Sequence, residues 1–350
     1  MRQIVIRTLF VLAFLNNNSF AIVNGYHSSY IVDAYDSTVQ IQFKGMSFSN
    51  SDGVYSLKNE PTSCTGSIID DTTVLTAAHC VSGLSKHSLV EIYAIGENRE
   101  GKRMSIRMGS YQYNAGFKTQ MDKVSLRYQW LEEKLINFLN GSYSAEEAKQ
   151  FFVEHYQYII ANEQALATEV VPYDLAILKV LNPGSNKENF KTFQKASIAK
   201  ITPTTGSLAT LVGFGQINNR MALKNSPYES KIRIGKNELN RVNDSYLEII
   251  GVNQENDGLN WQKFIDGIGN FDWIEFNSDW NSSASWGDSG GPLALHGTYG
   301  KQIIGVASML AQKDVIQTVF IPTHHAQSTL YVNLNGSEAQ KFLKRQGIIK

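Results

Sequence analysis

The sequence predicts an all-β fold carrying one inserted helical hairpin and a short C-terminal helix. Three observations lead there. Two series of short apolar or alternating runs are broken by clusters of Gly, Asn, Asp and Ser, which is the pattern of barrel-like β structure. Between them lies one apolar stripe with helical period, and near the C-terminus a capping-box spacing opens a last apolar face.

The chain begins with a basic stretch through Arg7. It continues with the apolar run Thr8 to Leu15 and ends its first section in polar Asn16 to Ser19 before Phe20 and Ala21. Residues 1–21 therefore read as a secretory signal. The apolar run is too short to span a bilayer, and Ser19 and Ala21 put small residues where a signal peptidase needs them. A secreted protein, periplasmic in a Gram-negative bacterium, is expected, with no membrane anchor. Cleavage after Ala21 would make Ile22-Val23-Asn24-Gly25 the new N-terminus.

The first β series, from Ile31 to about Tyr113, contains Val39 to Phe43, Thr65 to Ile69, Leu89 to Ile95 and Met104 to Met108. It also contains both cysteines of the chain, Cys64 and Cys80, 16 positions apart. In an exported protein such a pair is most simply a disulfide, two free thiols being the alternative.

Next, Val124, Tyr128, Leu131, Leu135 and Phe138 recur at alternating steps of four and three, giving a helix that ends near Gly141. Ser144 and Glu147 have capping-box spacing, and Ala148, Phe152, His155 and Ile159 continue an apolar face. A helical hairpin over about 120–160 is expected. It returns to the chain just before Pro172-Tyr173-Asp174, so it is expected either to restrict entry to a cleft or only to pack on the first β unit. In the second case His155 is a core or edge residue.

The second β series includes Leu208 to Phe214, Lys231 to Ile234, Tyr246 to Ile250, Pro292 to Leu295, Ile303 to Ser308 and Leu330 to Leu334. At the end, Ser337 and Gln340 have capping-box spacing while Ala339, Phe342 and Leu343 form an apolar face, predicting a helix over about 337–346.

Composition narrows the function classes. The 350 residues are 42% hydrophobic and 18% charged with zero formal net charge, a globular profile. Without Arg2 and Arg7 of the leader, 30 basic residues face 32 acidic ones, which does not favour nucleic acid. The chain has no P-loop, no HExxH helix and no CxxC pair. His324 and His325 are adjacent without nearby carboxylates and are read as solvated. No metal and no cofactor is expected.

The chemistry concentrates in three segments. Trp286-Gly287-Asp288-Ser289-Gly290-Gly291-Pro292 places a serine hydroxyl in a glycine-flanked turn directly behind an acid. Thr76-Ala77-Ala78-His79-Cys80 offers an imidazole, and Asp174-Leu175-Ala176-Ile177-Leu178 offers a carboxylate at the mouth of an apolar strand. Taken singly, such a histidine or aspartate is usually satisfied locally. The three together, in the order His, Asp, Ser, resemble the trypsin/chymotrypsin family of serine endopeptidases.

That resemblance implies two six-stranded antiparallel β-barrels within one peptidase domain over 22–350. The first spans about 31–182 and the second about 195–335, with the site between them. It implies a triad of His79, Asp174 and Ser289, and an oxyanion hole from the backbone N–H groups of Gly287 and Ser289. Ile22 at a freed N-terminus would pair with Asp288 and order that loop. Cys64 and Cys80 match the family's disulfide around the histidine. Other disulfides usual in animal members are missing, Ser285 standing where one such cysteine would be, which points to a bacterial member.

For the substrate pocket the resemblance places Ser283 at the floor, Ser308 on the strand that pairs with substrate, and Leu310 and Thr329 at the walls. An uncharged floor disfavours Arg or Lys before the scissile bond, and side chains on the walls favour small or medium apolar residues. The implied partner is a protein or peptide substrate, with a protein inhibitor compatible and a monomer expected. The competing reading is a catalytically silent, protease-like binding protein, which an unbroken triad argues against.

Overall fold

The computed structural model describes residues 26–27, 37–44, 63–84, 90–98, 102–140, 145–181, 188, 190, 192–214, 232–252, 288–298, 301–310 and 326–350. A two-residue strand β1 (Tyr26–His27) comes first. Six strands then build a closed barrel: β2 (Thr38–Lys44), β3 (Ser63–Ile68), β4 (Thr73–Thr76), β5 (Glu91–Glu97), β6 (Arg103–Tyr113) and β7 (Ala176–Val180). Its order is β2-β3-β4-β7-β6-β5, every pair antiparallel.

Alternation along the strands explains why this barrel has two apolar sides where it meets the rest of the chain. Val74, Ala176 and Leu178 point inward with Val39, Ile41, Ile68, Ile106 and Phe193. Their neighbours Leu75, Leu175 and Ile177 point outward into a second cluster with Val306, Leu330, Val332 and Phe342. Each such side chain, once fully buried, contributes roughly 1.5–3 kcal/mol, so β4 and β7 hold both the barrel and its junction with the second unit.

The second unit uses β8 (Ser197–Ile198), β9 (Leu208–Gly213), β10 (Arg233–Glu238), β11 (Arg241–Val242), β12 (Tyr246–Val252), β13 (Pro292–Leu295), β14 (Gln302–Leu310) and β15 (Ala326–Asn333). Their order is β1-β10-β9-β13-β14-β15-β12-β11, with β8 added parallel to β14. Among the described residues this sheet is a half-barrel. Its curl brings β10 to β12, where Asn237 Nδ2 donates to the Ile250 carbonyl at 2.9 Å. The two-barrel arrangement is thus present, its first unit closed.

The helical insertion is longer than its sequence pattern foretold. Helix α1 spans Ala115–Asn140 and α2 spans Ala145–Ala165. A π-helical turn (Leu166–Val170) and a 3-10 turn (Val171–Tyr173) then carry the chain straight to Asp174. Tyr128 departs from helical backbone and kinks α1. The expected cap Ser144 lies outside the described residues. Helix α3 (Ser337–Arg345) ends the chain and buries Ala339, Phe342 and Leu343.

Its start corrects the capping-box reading. Gly336 is the N-cap, and Ser337 is already helical. Asp244 holds that end, accepting from Ser337 N at 3.0 Å and from Ser337 Oγ at 2.6 Å, while Gln340 Nε2 donates to the Leu334 carbonyl at 2.6 Å. A carboxylate from a distant loop satisfies the first turn, a role that local spacing does not reveal.

Candidate active site

Strand register brings two of the three segments together. In the antiparallel pair β4–β7, Thr76 is opposite Ala176, so residues just after Thr76 and just before Ala176 leave the barrel at the same end. His79 and Asp174 sit there. His79 Nδ1 and Asp174 Oδ2 are 2.7 Å apart, and the His79 backbone N–H donates to Asp174 Oδ1 at 2.8 Å. Asp174 is 1% exposed, which makes both contacts worth more than they would be in water.

Ser308 completes the carboxylate's shell by donating from Oγ to Asp174 Oδ2 at 2.6 Å. The sequence reading placed Ser308 on the substrate-pairing strand; that its hydroxyl donates to the acid was not foreseen. A partner 134 positions away leaves no local signal. Three contacts fix the carboxylate, and neither of its oxygens is left unmatched.

The Ser289 turn is anchored from both units. Its carbonyl accepts from Thr65 N of β3 at 2.7 Å. Gly290 N donates to the Ala307 carbonyl at 2.8 Å, and Ala307 N donates to the Gly291 carbonyl at 2.8 Å, tying the turn to the residue beside Ser308. Gly290 has φ of 82°, and a Cβ there would overlap Thr76 Oγ1 and the Thr65 carbonyl. Glycine is therefore required on two counts, left-handed backbone and close approach.

Cys64 and Cys80 are bonded, with Cα atoms 6.4 Å apart. The bridge ties β3 to the helical turn His79–Ser82. Cys80 Sγ lies 3.8 Å from the Ser289 carbonyl oxygen, and both sulfurs are within 4.8 Å of a His79 ring nitrogen. Because the sulfurs are joined to each other, they offer no thiolates to a metal. The disulfide thus sits where the histidine turn and the serine turn meet.

Asp288 is buried, and a Cβ at Gly213 would overlap its carboxylate. Beside it, fully buried Tyr331 has its phenol pushed well above the usual value by burial and then by the Asp288 charge. Tyr26 of β1 pairs with Ile234, which pairs with Val212 next to Gly213. Ile22, Gly287 and Ser283 lie outside the described residues. Of the expected pocket walls, Leu310 and Thr329 are register partners across β14–β15. Thr329 is buried, and its Oγ1 has no partner among the described residues.

The insertion packs against this centre. Ala78, Phe117, Val124, Ala165, Leu166 and Val170 form one buried cluster, with Tyr113, Met121, Tyr128, Tyr173 and Met309 against it. His155 is a core histidine of the hairpin: it donates from Nδ1 to the Phe151 carbonyl at 2.8 Å and stacks on the Phe151 ring at 4.3 Å.

The Trypsin family model matches residues 44–129, a stretch that contains His79 and ends before Asp174 and Ser289. A solved structure described as Glu endopeptidase in complex with MPD shares 14% identity at a TM-score of 0.46, covering 93% of this chain and 96% of that one. No curated protein matches in sequence. The likeness to the Trypsin family thus lies in the stretch around His79, whose closed six-stranded barrel is the first of two β units in this chain.

Proposed function

We propose that the protein is a secreted serine endopeptidase acting through Ser289, His79 and Asp174. The observation that carries this reading is the buried His79–Asp174 contact of 2.7 Å at the same end of the barrel as the anchored Ser289 turn. A serine hydroxyl is a poor nucleophile at neutral pH. His79 would take its proton during attack on the peptide carbonyl and return it to the leaving amine. Asp174, held by Ser308, would orient the ring and stabilise the imidazolium. Water would then release the acyl group from Ser289 by the same proton path.

The oxyanion of each tetrahedral intermediate needs donors preorganised where charge develops, and the N–H groups of Gly287 and Ser289 are proposed for that role. Ile22, freed by signal removal, is proposed to pair with Asp288. Support comes from β1, which starts four residues after Ile22 and pairs with β10, the strand whose other neighbour carries the Gly213 backbone that faces Asp288. The pocket is proposed to take small or medium apolar residues, since Thr329 puts a side chain where a wall would be and Leu310 is its register partner.

The test is hydrolysis of a diverse peptide library by the secreted protein, beside Ser289→Ala. Cleavage after small or medium apolar residues, lost in the variant, is expected. Cleavage retained by Ser289→Ala would refute the mechanism, and cleavage after Arg or Lys would refute the pocket assignment.

A further inference from the structure

The residues on both sides of Asp174 are gripped by the head of the inserted helix pair. Asn114 N donates to the Leu175 carbonyl at 2.9 Å. Asn114 is buried and starts α1, its Oδ1 accepting from Gly116 N at 3.2 Å and its carbonyl from Phe117 N at 2.9 Å. Two residues on, the Gly116 backbone lies against the Tyr173 ring, so closely that a Cβ would overlap Cδ1. Asp174 is therefore held between Tyr173, pressed by Gly116, and Leu175, bonded to Asn114.

The far end of the insertion reaches the same place. The π-helical and 3-10 turns deliver the chain into Asp174, whose N–H donates to the Val171 carbonyl at 2.9 Å. Their buried side chains Leu166 and Val170 share a cluster with Ala78, which precedes His79, and with Met309, which follows Ser308. Each member of the Asp174 hydrogen-bond set thus has a chain neighbour packed on this insertion. A lid would leave those neighbours to the barrel.

We propose that the helical insertion is a buttress that sets the His79–Asp174 contact, and that Tyr173 and Gly116 are its positioning residues. This rests on the endopeptidase reading for its kinetic consequence, but the contact itself is observable without turnover. A small displacement of a catalytic group costs up to about 10²-fold in rate while leaving substrate binding to other residues.

Tyr173→Ala removes the ring, Gly116→Ala forces it away, and Tyr173→Phe keeps it. Each is measured for kcat and KM on a cleaved peptide, for the downfield His79 Nδ1 proton resonance, and for folding by circular dichroism and melting. Folded Tyr173→Ala and Gly116→Ala are expected to lose kcat by about tenfold or more with KM within about twofold, and to lose or broaden the resonance, while Tyr173→Phe retains both. Unchanged kcat and resonance in a folded variant would overturn the proposal, whether or not melting falls. A raised KM at constant kcat would overturn it in favour of a cleft lid. Should Tyr173→Ala not fold, Gly116→Ala carries the same readouts. If the parent protein cleaves no peptide, the endopeptidase reading fails, and the resonance alone still decides the buttress.

Discussion

Ser308 donates a 2.6 Å hydrogen bond to the same Asp174 oxygen that faces His79 Nδ1 at 2.7 Å. One carboxylate oxygen therefore serves both the Ser308 hydroxyl and the ring of the proposed general base. Ser308→Ala would leave Asp174 with one fewer donor in a buried site. A hydrogen bond to a charged group is worth about 1.5–3 kcal/mol, so kcat is expected to fall by about tenfold or more, with KM little changed. Steady-state kinetics on one peptide check this.

The Cys64–Cys80 bridge joins β3 to the histidine turn and touches the Ser289 carbonyl. Replacing both cysteines by Ala should destabilise the protein by roughly 3 kcal/mol through the loop-closure term alone. Activity should fall further than stability, since the bridge lies where the two turns meet. Chemical denaturation paired with kinetics at low temperature separates the two effects.

Asp70 gives a prediction about acid. Burial alone would raise its carboxyl, but hydrogen bonds from the Thr73 side chain and the Thr72 backbone, with the Lys179 charge and the Thr72 hydroxyl, outweigh burial and hold it below its ordinary value. The Thr72 N–H donates to Oδ1 at 2.7 Å. A carboxyl depressed in the folded state contributes stability that is present above its unfolded value and lost as pH falls through the folded one. Asp70→Asn should therefore cost about 1 kcal/mol at neutral pH, reduced by solvent screening at this half-exposed turn, and the gap to the parent should close on acidification. Melting curves at neutral and acid pH measure it.

Activation by signal removal predicts that the active secreted chain starts at Ile22. Retaining Ala21 would remove the free amine from Asp288, and breaking such a buried pair costs about 3–5 kcal/mol. The retained form should be nearly inactive. Activity of the correctly cut form should fall at alkaline pH, because the ammonium, not the amine, makes the pair. N-terminal sequencing and a pH–rate profile check both parts.

Much of this was legible in the sequence because it is carried by local pattern. The alternation of Val39 to Phe43 and the compact run Pro292 to Leu295 gave strands close to their observed bounds. Strand β4 was not legible: Thr73–Thr76 is four residues, all buried, so neither length nor alternation marks it. Helix α1 begins at Ala115, earlier than its stripe suggested, although Phe117 and Met121 extend the same four-and-three rhythm backwards. Motifs identified His79 and Asp174, whose contact follows from the β4–β7 register. What the sequence hid are pairings across the fold: Ser308 on Asp174, Thr65 on the Ser289 carbonyl, Asp244 on Ser337, and Gly116 under Tyr173. Each depends on two side chains or backbones far apart in the chain, and no short window contains both.

The most direct measurement is covalent labelling of the secreted protein with a serine-directed phosphonate, followed by peptide mapping by mass spectrometry. Attack on phosphorus needs the activated hydroxyl and its base but no particular substrate pocket. The account predicts one adduct, on Ser289, that is lost in His79→Ala and strongly reduced in Asp174→Asn, a change that costs about 10⁴ in turnover in a Ser-His-Asp triad of the trypsin type. An unlabelled native protein, or an adduct on another serine that survives His79→Ala, would contradict it.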